Sequence, residues 1–230
     1  MQSRRGRRLQ RYHNIPQAKP GASEAGSVGR VYVVDDDASV RAALSSLLRS
    51  LDLDVRAFPG VDQFRAEADA TVPACLLLDV RMPGISGLEF QDQLASFAPD
   101  LPVIFITGHG DVPMSVRAMK AGAVDFLQKP WSEQAVLDAV FSALARSRAK
   151  AQVSSERDAL AQRAATLTPR EREVMMLVTR GLANKQIAYE LGLQLITVKI
   201  HRGNVMRKMH ASSLVDLVTQ AKTLGLAGSD

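Results

Sequence analysis

The sequence "VYVVDDDASV" (Val31–Val40) joins an apolar run directly to three consecutive carboxylates. The β-branched run is typical of a buried strand, whereas Asp35, Asp36 and Asp37 repel one another and resist burial. We therefore expect the carboxylates to be exposed at the end of the strand. One interpretation is a solvated loop in which Asp37 or Ser39 starts the next helix; the other is a site that binds a cation.

Around this stretch, short apolar runs alternate with amphipathic segments. The predicted strands cover residues 30–35, 54–58, 74–80, 102–107 and 125–130. The predicted helices that follow them cover residues 37–52, 61–69, 87–97, 111–123 and 132–148. Five such units indicate an α/β fold with a doubly wound, five-stranded parallel sheet, and they place functional residues at the carboxyl ends of the strands.

The distribution of charge divides the chain into parts. Residues 30–145 contain 9 Lys/Arg and 16 Asp/Glu, whereas residues 146–230 contain 14 Lys/Arg and 7 Asp/Glu. An acidic first part followed by a basic second part indicates two domains with different partners. The partner of the basic domain is expected to be a polyanion. Residues 146–165 are rich in Ala, Ser, Arg and Gln and are predicted to form a helical linker.

The remaining features of composition concern location. Residues 1–29 are arginine-rich with few large apolar residues, which predicts a disordered basic tail; a basic arm on nucleic acid is the alternative. The single cysteine, Cys75, excludes a disulfide framework and is expected in the core. No apolar stretch approaches the roughly 18 residues that span a membrane. We therefore expect a cytoplasmic protein with no membrane partner.

Polar side chains lie where the predicted strands end. Asp79 ends the third strand, Thr107 ends the fourth and Lys129 follows the fifth, so all three share an edge with the carboxylates after the first strand. Carboxylate oxygens suit Mg²⁺, and a lysine with a hydroxyl suits a phosphoryl group. Because an aspartate can itself act as a nucleophile, the pattern predicts a Mg²⁺-dependent, phosphoryl-accepting aspartate. Taken singly, each residue also fits a helix cap or a surface charge.

Residues 30–145 resemble a flavodoxin-like two-component receiver domain, and "ITGHGDVPMSVRAMKAGAVDFLQKP" (residues 106–130) resembles the FixJ branch of response regulators. The resemblance implies that Asp79 accepts a phosphoryl group from a cognate sensor histidine kinase. It also implies Mg²⁺ ligands, a phosphoryl contact pair and an aromatic switch residue. The Mg²⁺ ligands would be Asp36, Asp79 and the backbone carbonyl of Arg81, with help from Asp35. Thr107 and Lys129 would contact the phosphoryl group, and Phe126 would be the aromatic switch residue.

The same resemblance implies how activation spreads. On phosphorylation, the surface formed by the fourth helix and fifth strand, residues 111–126, is expected to form a homodimer. The peptide bond before Pro130 is expected to be cis. Arg81 and His109 lie two residues beyond Asp79 and Thr107, and we hypothesise that they tune hydrolysis of the phosphorylated aspartate.

The basic part of the chain reads as a set of short helices. Thr168 and Glu171 form a capping-box pattern, Gly181 is predicted to end that helix, Asn184 to cap the next one and Gly192 to form the turn that follows. A Gly-containing turn between two short helices is typical of a DNA-binding helix-turn-helix. In the last of these helices, an inward stripe is predicted from Val198, Val205 and Met209.

About residues 166–222 resemble the LuxR-type helix-turn-helix, and we assign residues 166–230 to this domain. By that resemblance, three side-chain positions face base edges and five are candidates for DNA phosphates. The first set is Lys199, Ile200 and Gly203; the second is Lys185, Thr197, Arg202, Arg207 and Lys208. A helix over "SSLVDLVTQAKTLGL" (residues 212–226) mediates dimerisation in this family.

Three departures from that family pattern concern how DNA is read. Gln194 replaces a Ser-type cap, and Leu195 and Ile196 occupy a helix start that is normally polar. Gly203 offers no side chain and costs about 1 kcal/mol of helix propensity. Readout is therefore expected to depend on apolar contacts with thymine methyl groups or on DNA shape.

Together these features predict a phosphorylation-activated, DNA-binding transcription regulator that is not an enzyme on outside substrates. An activator that binds double-stranded promoter DNA and contacts RNA polymerase is expected. An aspartate-nucleophile phosphatase is the enzymatic alternative, but Arg81 stands where a second acidic residue would be needed. The other alternative is a phosphorylation-independent DNA-binding regulator with a vestigial receiver.

Overall fold

The computed structural model describes residues 29–69, 71–94, 96–108 and 112–226. The tail predicted to be disordered, residues 1–29, lies outside these ranges except for Gly29, which is buried. The hypothesis on His109 also concerns a position outside the described ranges. Among the described residues, no helix combines the length and hydropathy needed to cross a membrane.

The first part of the chain is an α/β sandwich built on a parallel sheet. Its strands are β1 (Arg30–Val34), β2 (Asp54–Phe58), β3 (Ala74–Asp79), β4 (Val103–Thr107) and β5 (Asp125–Gln128). Its helices are α1 (Ala38–Arg49), α2 (Val61–Glu67), α3 (Gly87–Leu94), α4 (Val112–Lys120) and α5 (Glu133–Ala165). The strand order is β2-β1-β3-β4-β5, and every pair is parallel. The predicted five-stranded, doubly wound sheet is confirmed.

The core lies on both faces of this sheet because successive strand residues point to opposite sides. Val31 and Val33 pack with α1 and α5, whereas Tyr32 and Val34 pack with α2 and α3. Cys75 is fully buried, as expected of a core residue, and its burial raises the pKa of the thiol to about 12. The central strand β3 is buried along its whole length, which explains its continuous apolar sequence.

The helix α5 continues far beyond the sheet. It runs unbroken for 33 residues, so the predicted helical linker is the second half of one helix. Ser147 accepts a 3.1 Å hydrogen bond from the backbone N–H of Ala74. Near its end, Leu160 and Ala164 pack in the core of the next domain. The helix is therefore a physical connection between the two domains.

That second domain contains four short helices besides the end of α5: α6 (Pro169–Thr179), α7 (Asn184–Leu191), α8 (Leu195–Met209) and α9 (Leu214–Thr223). The capping box of Thr168 and Glu171 is confirmed. Gly192 has a left-handed backbone with φ of 63°, which explains a glycine in the turn between α7 and α8. The predicted inward stripe of α8 is also confirmed, because Val198, Val205 and Met209 are fully buried.

The prediction that Asn184 caps α7 is wrong. Ala183 occupies the capping position, and its backbone N–H donates to Oε1 of Gln186 at 2.7 Å. Asn184 is the first helical residue, and its Oδ1 accepts a 2.9 Å hydrogen bond from Arg202 on α8. The asparagine thus joins the two helices of the helix-turn-helix instead of starting one of them.

Candidate functional site

The predicted polar residues meet at the carboxyl edge of the sheet. Asp35 follows β1, Asp79 ends β3, Thr107 ends β4 and Lys129 follows β5. The backbone N–H of Lys129 donates to the carbonyl of Thr107 at 2.7 Å, which fixes the ends of β4 and β5 beside each other. Strand register therefore assembles the site from residues far apart in sequence.

The centre of the site is a lysine between two carboxylates. Nζ of Lys129 lies 2.7 Å from Oδ2 of Asp35 and 3.3 Å from Oδ2 of Asp79. The expectation that the carboxylates after β1 are exposed is wrong for Asp35, which is 1% exposed, and right for Asp36. Asp79, at the end of β3, is 7% exposed. Burial of Asp35 is possible because Lys129 and the backbone N–H of Asp37, at 2.8 Å, both donate to it.

The close packing of these charged groups shifts the pKa values of Asp35 and Lys129. Burial raises the pKa of Asp35 above its ordinary value, and the nearby Asp79 charge adds to that effect, although Lys129 partly opposes it. For Lys129, burial lowers the pKa, but the hydrogen bond and charge of Asp35 and the charge of Asp79 outweigh it, so the pKa is raised. The raised pKa keeps Lys129 a cation, and the raised pKa of Asp35 makes that carboxyl group easier to protonate than an ordinary one.

The three acidic residues also lie close enough together to share one cation. Asp35, Asp36 and Asp79 each present an oxygen within 4.8 Å of the others, and the set is made only of hard oxygen donors, which suits Mg²⁺ better than a softer metal. Arg81 is held against the cluster because its backbone N–H donates to Oδ1 of Asp79 at 3.2 Å. Asp37 does not take part: its side chain accepts from the N–H of Ser39 at 2.8 Å and caps α1.

A glycine packs directly against the backbone of Asp79, and no local sequence pattern predicts this contact. Gly87 starts α3, and its N–H donates to the carbonyl of Val80 at 2.9 Å. A Cβ atom at Gly87 would lie 2.4 Å from the carbonyl oxygen of Asp79 and 3.1 Å from Cα of Val80. These atoms are backbone, so they cannot rotate away, and α3 can lie this close only with glycine there.

We expect Gly87→Ala to destabilise the first domain by roughly 1–3 kcal/mol, the usual cost of forcing a methyl group into a packed interior. Relief of the clash should also displace Asp79 from the acidic cluster. Denaturant unfolding followed by the fluorescence of Trp131 measures the first effect. Gly60→Ala is the matched control, since the nearest atom to its Cβ would be a side-chain oxygen of Gln63 at 3.5 Å; an equal loss in both variants would contradict the steric argument.

Thr107 and Phe126 are the predicted switch residues, and they lie on the neighbouring strands β4 and β5. Thr107 is completely buried at the end of β4. Phe126 is half-buried on β5, with its ring centroid 6.4 Å from that of Phe105. Beside β5, the helix α4 exposes Val112, Val116 and Met119, so the surface expected to form a dimer presents apolar side chains.

The second candidate site is the outer face of α8. Lys199, Ile200 and Gly203 are exposed on it, and Lys185 is exposed on α7. Thr197 is half-buried. Among the described residues, neither Lys185 nor Lys199 forms an ion pair.

Three other predicted phosphate contacts have partners within the domain. Arg202 donates to Asn184 at 2.9 Å, and Arg207 donates to Oδ1 of Asn204 at 3.0 Å. Lys208 pairs with Glu171 at 2.6 Å and also donates to the carbonyl of Thr166 at 3.0 Å. Glu171 is only 3% exposed, so the ammonium of Lys208 neutralises a buried carboxylate. This ion pair was missed because its partners are 37 residues apart.

The chain thus has two domains joined by a long helix. The first carries an acidic site at the edge of a doubly wound sheet, and the second is a helix-turn-helix with exposed lysines, an arrangement typical of a regulator. Residues 31–141 match the response regulator receiver domain family, and residues 165–221 match the luxR family of bacterial regulatory proteins. The chain belongs to the response regulators that combine these two domains.

Curated relatives and a solved structure agree with that assignment. Nodulation protein W of Bradyrhizobium diazoefficiens is 50% identical over 209 residues, which are 91% of this chain and 92% of the relative. Transcriptional regulatory protein FixJ of Azorhizobium caulinodans is 45% identical over 203 residues, 87% of this chain and 95% of the relative. The structure of response regulator StyR has a TM-score of 0.77 at 47% identity and covers 85% of this chain and 99% of its own. Neither domain belongs to a family of catalytic enzymes.

Proposed function

We propose that Asp79 is the residue through which this phosphorylation-activated transcription regulator receives its signal. The observation that carries the proposal is the Lys129 ammonium placed between Asp35 and Asp79 at the carboxyl edge of the sheet. Asp79 is the member of the set that ends the central strand, and its carboxylate belongs to the acidic cluster. A sensor histidine kinase is the proposed donor.

The proposed transfer needs few groups. An oxygen of Asp79 forms a bond to phosphorus while the phosphorus–nitrogen bond of the donor phosphohistidine breaks, and the imidazole nitrogen keeps the electron pair and takes a proton from solvent. Lys129 neutralises charge on the transferred group, and the hydroxyl of Thr107 donates to one of its oxygens. Breaking the bond between Lys129 and Asp35 frees the ammonium for this role.

Mg²⁺ is the proposed cofactor. Asp35, Asp36 and Asp79 would hold it, together with the backbone carbonyl of Arg81, and when bound it would neutralise the acidic cluster and the incoming phosphoryl oxygens. The support is the oxygen-only donor set described above. Arg81 is also proposed to border the phosphorylated aspartate and to affect how fast it hydrolyses.

We propose that phosphorylation moves Thr107 and Phe126 and so changes the surface of α4 and β5, through which two copies associate. Two copies then place two α8 helices on paired half-sites of promoter DNA. Activation of transcription through RNA polymerase is the proposed outcome. Chromosomal DNA as the ligand favours a cytoplasmic location.

For the DNA surface, the proposed base-facing set is Lys199, Ile200 and Gly203, and the proposed phosphate contacts are Lys185, Thr197, Arg202 and Arg207. The proposal for Lys208 is narrower. Because its ammonium pairs with the buried Glu171, its main role is proposed to be support of α6 and α8, with any phosphate contact secondary to that.

Genome-wide footprinting with and without a small phosphodonor tests the proposal. Wild type should protect promoter sites more strongly when the donor is present, within the roughly 5- to 150-fold range of typical coupling between sites. Asp79→Asn should show only the weaker, donor-independent protection. Equal protection by both proteins in both conditions would instead support a regulator that does not depend on phosphorylation.

A further inference from the structure

An open cavity of about 600 Å³ lies beside the amino edge of the sheet. One side is formed by residues near the strand starts, among them Ala74 at the start of β3 and Leu101 just before β4. The other side is the part of α5 that continues beyond the sheet, from Ser147 to Gln162. Because Asp79 is at the far end of β3, the cavity lies at the opposite edge of the sheet from the acidic cluster and belongs to neither site proposed above.

Part of the lining of this cavity is apolar and accessible. Phe97 is 37% exposed, and Ala98 and Leu101 are half-buried. On α5, Ala151 and Ala159 add small exposed apolar side chains to the lining. Concave surfaces that combine apolar side chains with a few polar groups are typical of binding sites. The cavity therefore suits an occupant that has a large apolar side chain.

The charged side chains of the lining are mainly acidic: Asp69, Asp100 and Asp158 against Lys150. Asp100 is paired with Lys150, and Asp69 lies 3.0 Å from Nη1 of Arg30. Within the described part of the chain, Asp158 takes part in no ion pair. A concave surface with an excess of carboxylates attracts cations, so the occupant should also be positively charged.

The segment before β1, residues 1–28, has both chemical features. It contains six Lys/Arg and one Glu, and five of the six cations lie within residues 4–11. Leu9, Tyr12 and Ile15 give it three large apolar side chains at intervals of three residues. A segment with this composition buries too little apolar surface to fold alone but can become ordered on binding. Its chemistry thus matches an acidic cavity with an apolar lining.

The same segment joins the sheet at the cavity. The backbone N–H of Arg30 donates at 2.9 Å to the carbonyl of Pro73, which lines the cavity. Gly29 is buried against α5, where an added Cβ atom would lie 2.7 Å from Cδ2 of Leu144. Residues 16–28 can span up to roughly 45 Å when extended, so residues 9–15 can reach every part of the cavity. Tethering gives such a segment an effective concentration on the order of millimolar, and a weak contact is then sufficient.

We infer that residues 9–15 bind in this cavity, with Tyr12 against the apolar lining and an arginine side chain beside Asp158. The bound segment holds α5 against the receiver at the edge away from Asp79. In that region the backbone N–H of Ala74 already donates to the hydroxyl of Ser147. The N-terminal segment thereby supports the direction in which α5 leaves the sheet towards the DNA-binding domain.

Photo-crosslinking in the full-length protein tests the contact. A photoreactive phenylalanine analogue replaces Tyr12, and the crosslinked peptides are identified by mass spectrometry. We expect crosslinks to residues 96–102 and 147–162 in a product with the mass of one chain, and the same analogue in place of Gln2 should give few of them. Crosslinks within a product of two chains would overturn the intramolecular contact. Crosslinks that appear only on added duplex DNA, and to the DNA alone, would overturn the inference and make the segment a nucleic-acid-binding arm.

Charge variants of the full-length protein test the role of the acidic lining. Asp158→Asn should lower the yield of the crosslink from position 12 by about two- to fivefold, the range expected for one exposed ion pair. Glu156→Gln is the matched control, because Glu156 is exposed on α5, accepts a 2.6 Å hydrogen bond from Gln152 and lies outside the lining. Its crosslink yield should equal that of the protein with neither charge substitution. An equal yield in Asp158→Asn would overturn the role of Asp158.

Hydrogen exchange provides a second, independent measurement. Amides of α5 between Ser147 and Gln162 should exchange up to about tenfold faster when residues 2–28 are deleted, the factor lost with a tethered ligand present at ten times its Kd. Amides of α8, which is remote from the cavity lining, should exchange equally in both proteins. Unchanged exchange in α5 after the deletion would overturn the inference.

Discussion

Asp79→Asn is expected to reduce phosphoryl incorporation from a donor to background. An amide has no free carboxylate oxygen with which to form the bond to phosphorus. The substitution should not unfold the receiver, because the asparagine oxygen can still accept from the N–H of Arg81, and Lys129 keeps its 2.7 Å ion pair with Asp35. Burial is the main cause of the raised pKa of Asp35, and removal of the Asp79 charge relieves only the repulsion that adds to it. The mass of the intact protein after incubation with donor and Mg²⁺ measures the result.

The neighbouring Asp37 provides a matched control. It is an exposed carboxylate two residues from Asp35, but it caps α1 through the N–H of Ser39, and asparagine serves equally well as a cap. Asp37→Asn should therefore be labelled as completely as wild type. Persistent labelling of Asp79→Asn would show that the acceptor is another residue, and peptide mapping would locate it.

The fold could be predicted because two simple periods dominate the first part of the chain. The strands β1, β3 and β4 are short apolar runs, the helices between them repeat every three to four residues, and parallel connection then brings the strand ends to one edge. Helix ends were less predictable: the predicted helix over residues 87–97 stops at Leu94. The last turn of a helix depends on what it packs against, which is tertiary information.

The roles of the three adjacent aspartates could be predicted from the sequence only in part. Asp35 is buried against Lys129, Asp36 is exposed beside the cluster, and Asp37 caps a helix. The sequence predicted that these roles exist but could not choose between Asp37 and Ser39 as the cap, and it predicted exposure for Asp35. Burial of that carboxylate depends on a lysine 94 residues away, and a local pattern contains no information about such a partner.

The same limit applies to Lys208, where we expect a large effect on stability. Lys208→Met should destabilise the DNA-binding domain by roughly 2–4 kcal/mol at neutral pH, because it leaves the buried carboxylate of Glu171 without its cation. Arg207→Met, at an exposed neighbour, should change stability by less than about 0.5 kcal/mol. Hydrogen exchange of amides in α6 and α8 across a denaturant series reports this domain separately from the receiver.

The pH dependence of that difference identifies its cause. Burial alone would raise the pKa of Glu171, but hydrogen bonds from Lys208 and from Thr168 outweigh it and lower the pKa from 4.5 to about 2. A carboxyl group whose pKa is lowered on folding stabilises the folded state fully above its unfolded pKa and loses that contribution as pH falls through the folded value. The gap between wild type and Lys208→Met should therefore be largest above about pH 5 and should shrink steadily towards pH 2. A difference in unfolding free energy that stays constant over this range would mean that Lys208 acts through the packing of its aliphatic chain. If Lys208→Met instead lost DNA affinity without losing stability, the phosphate contact would be the main role of Lys208.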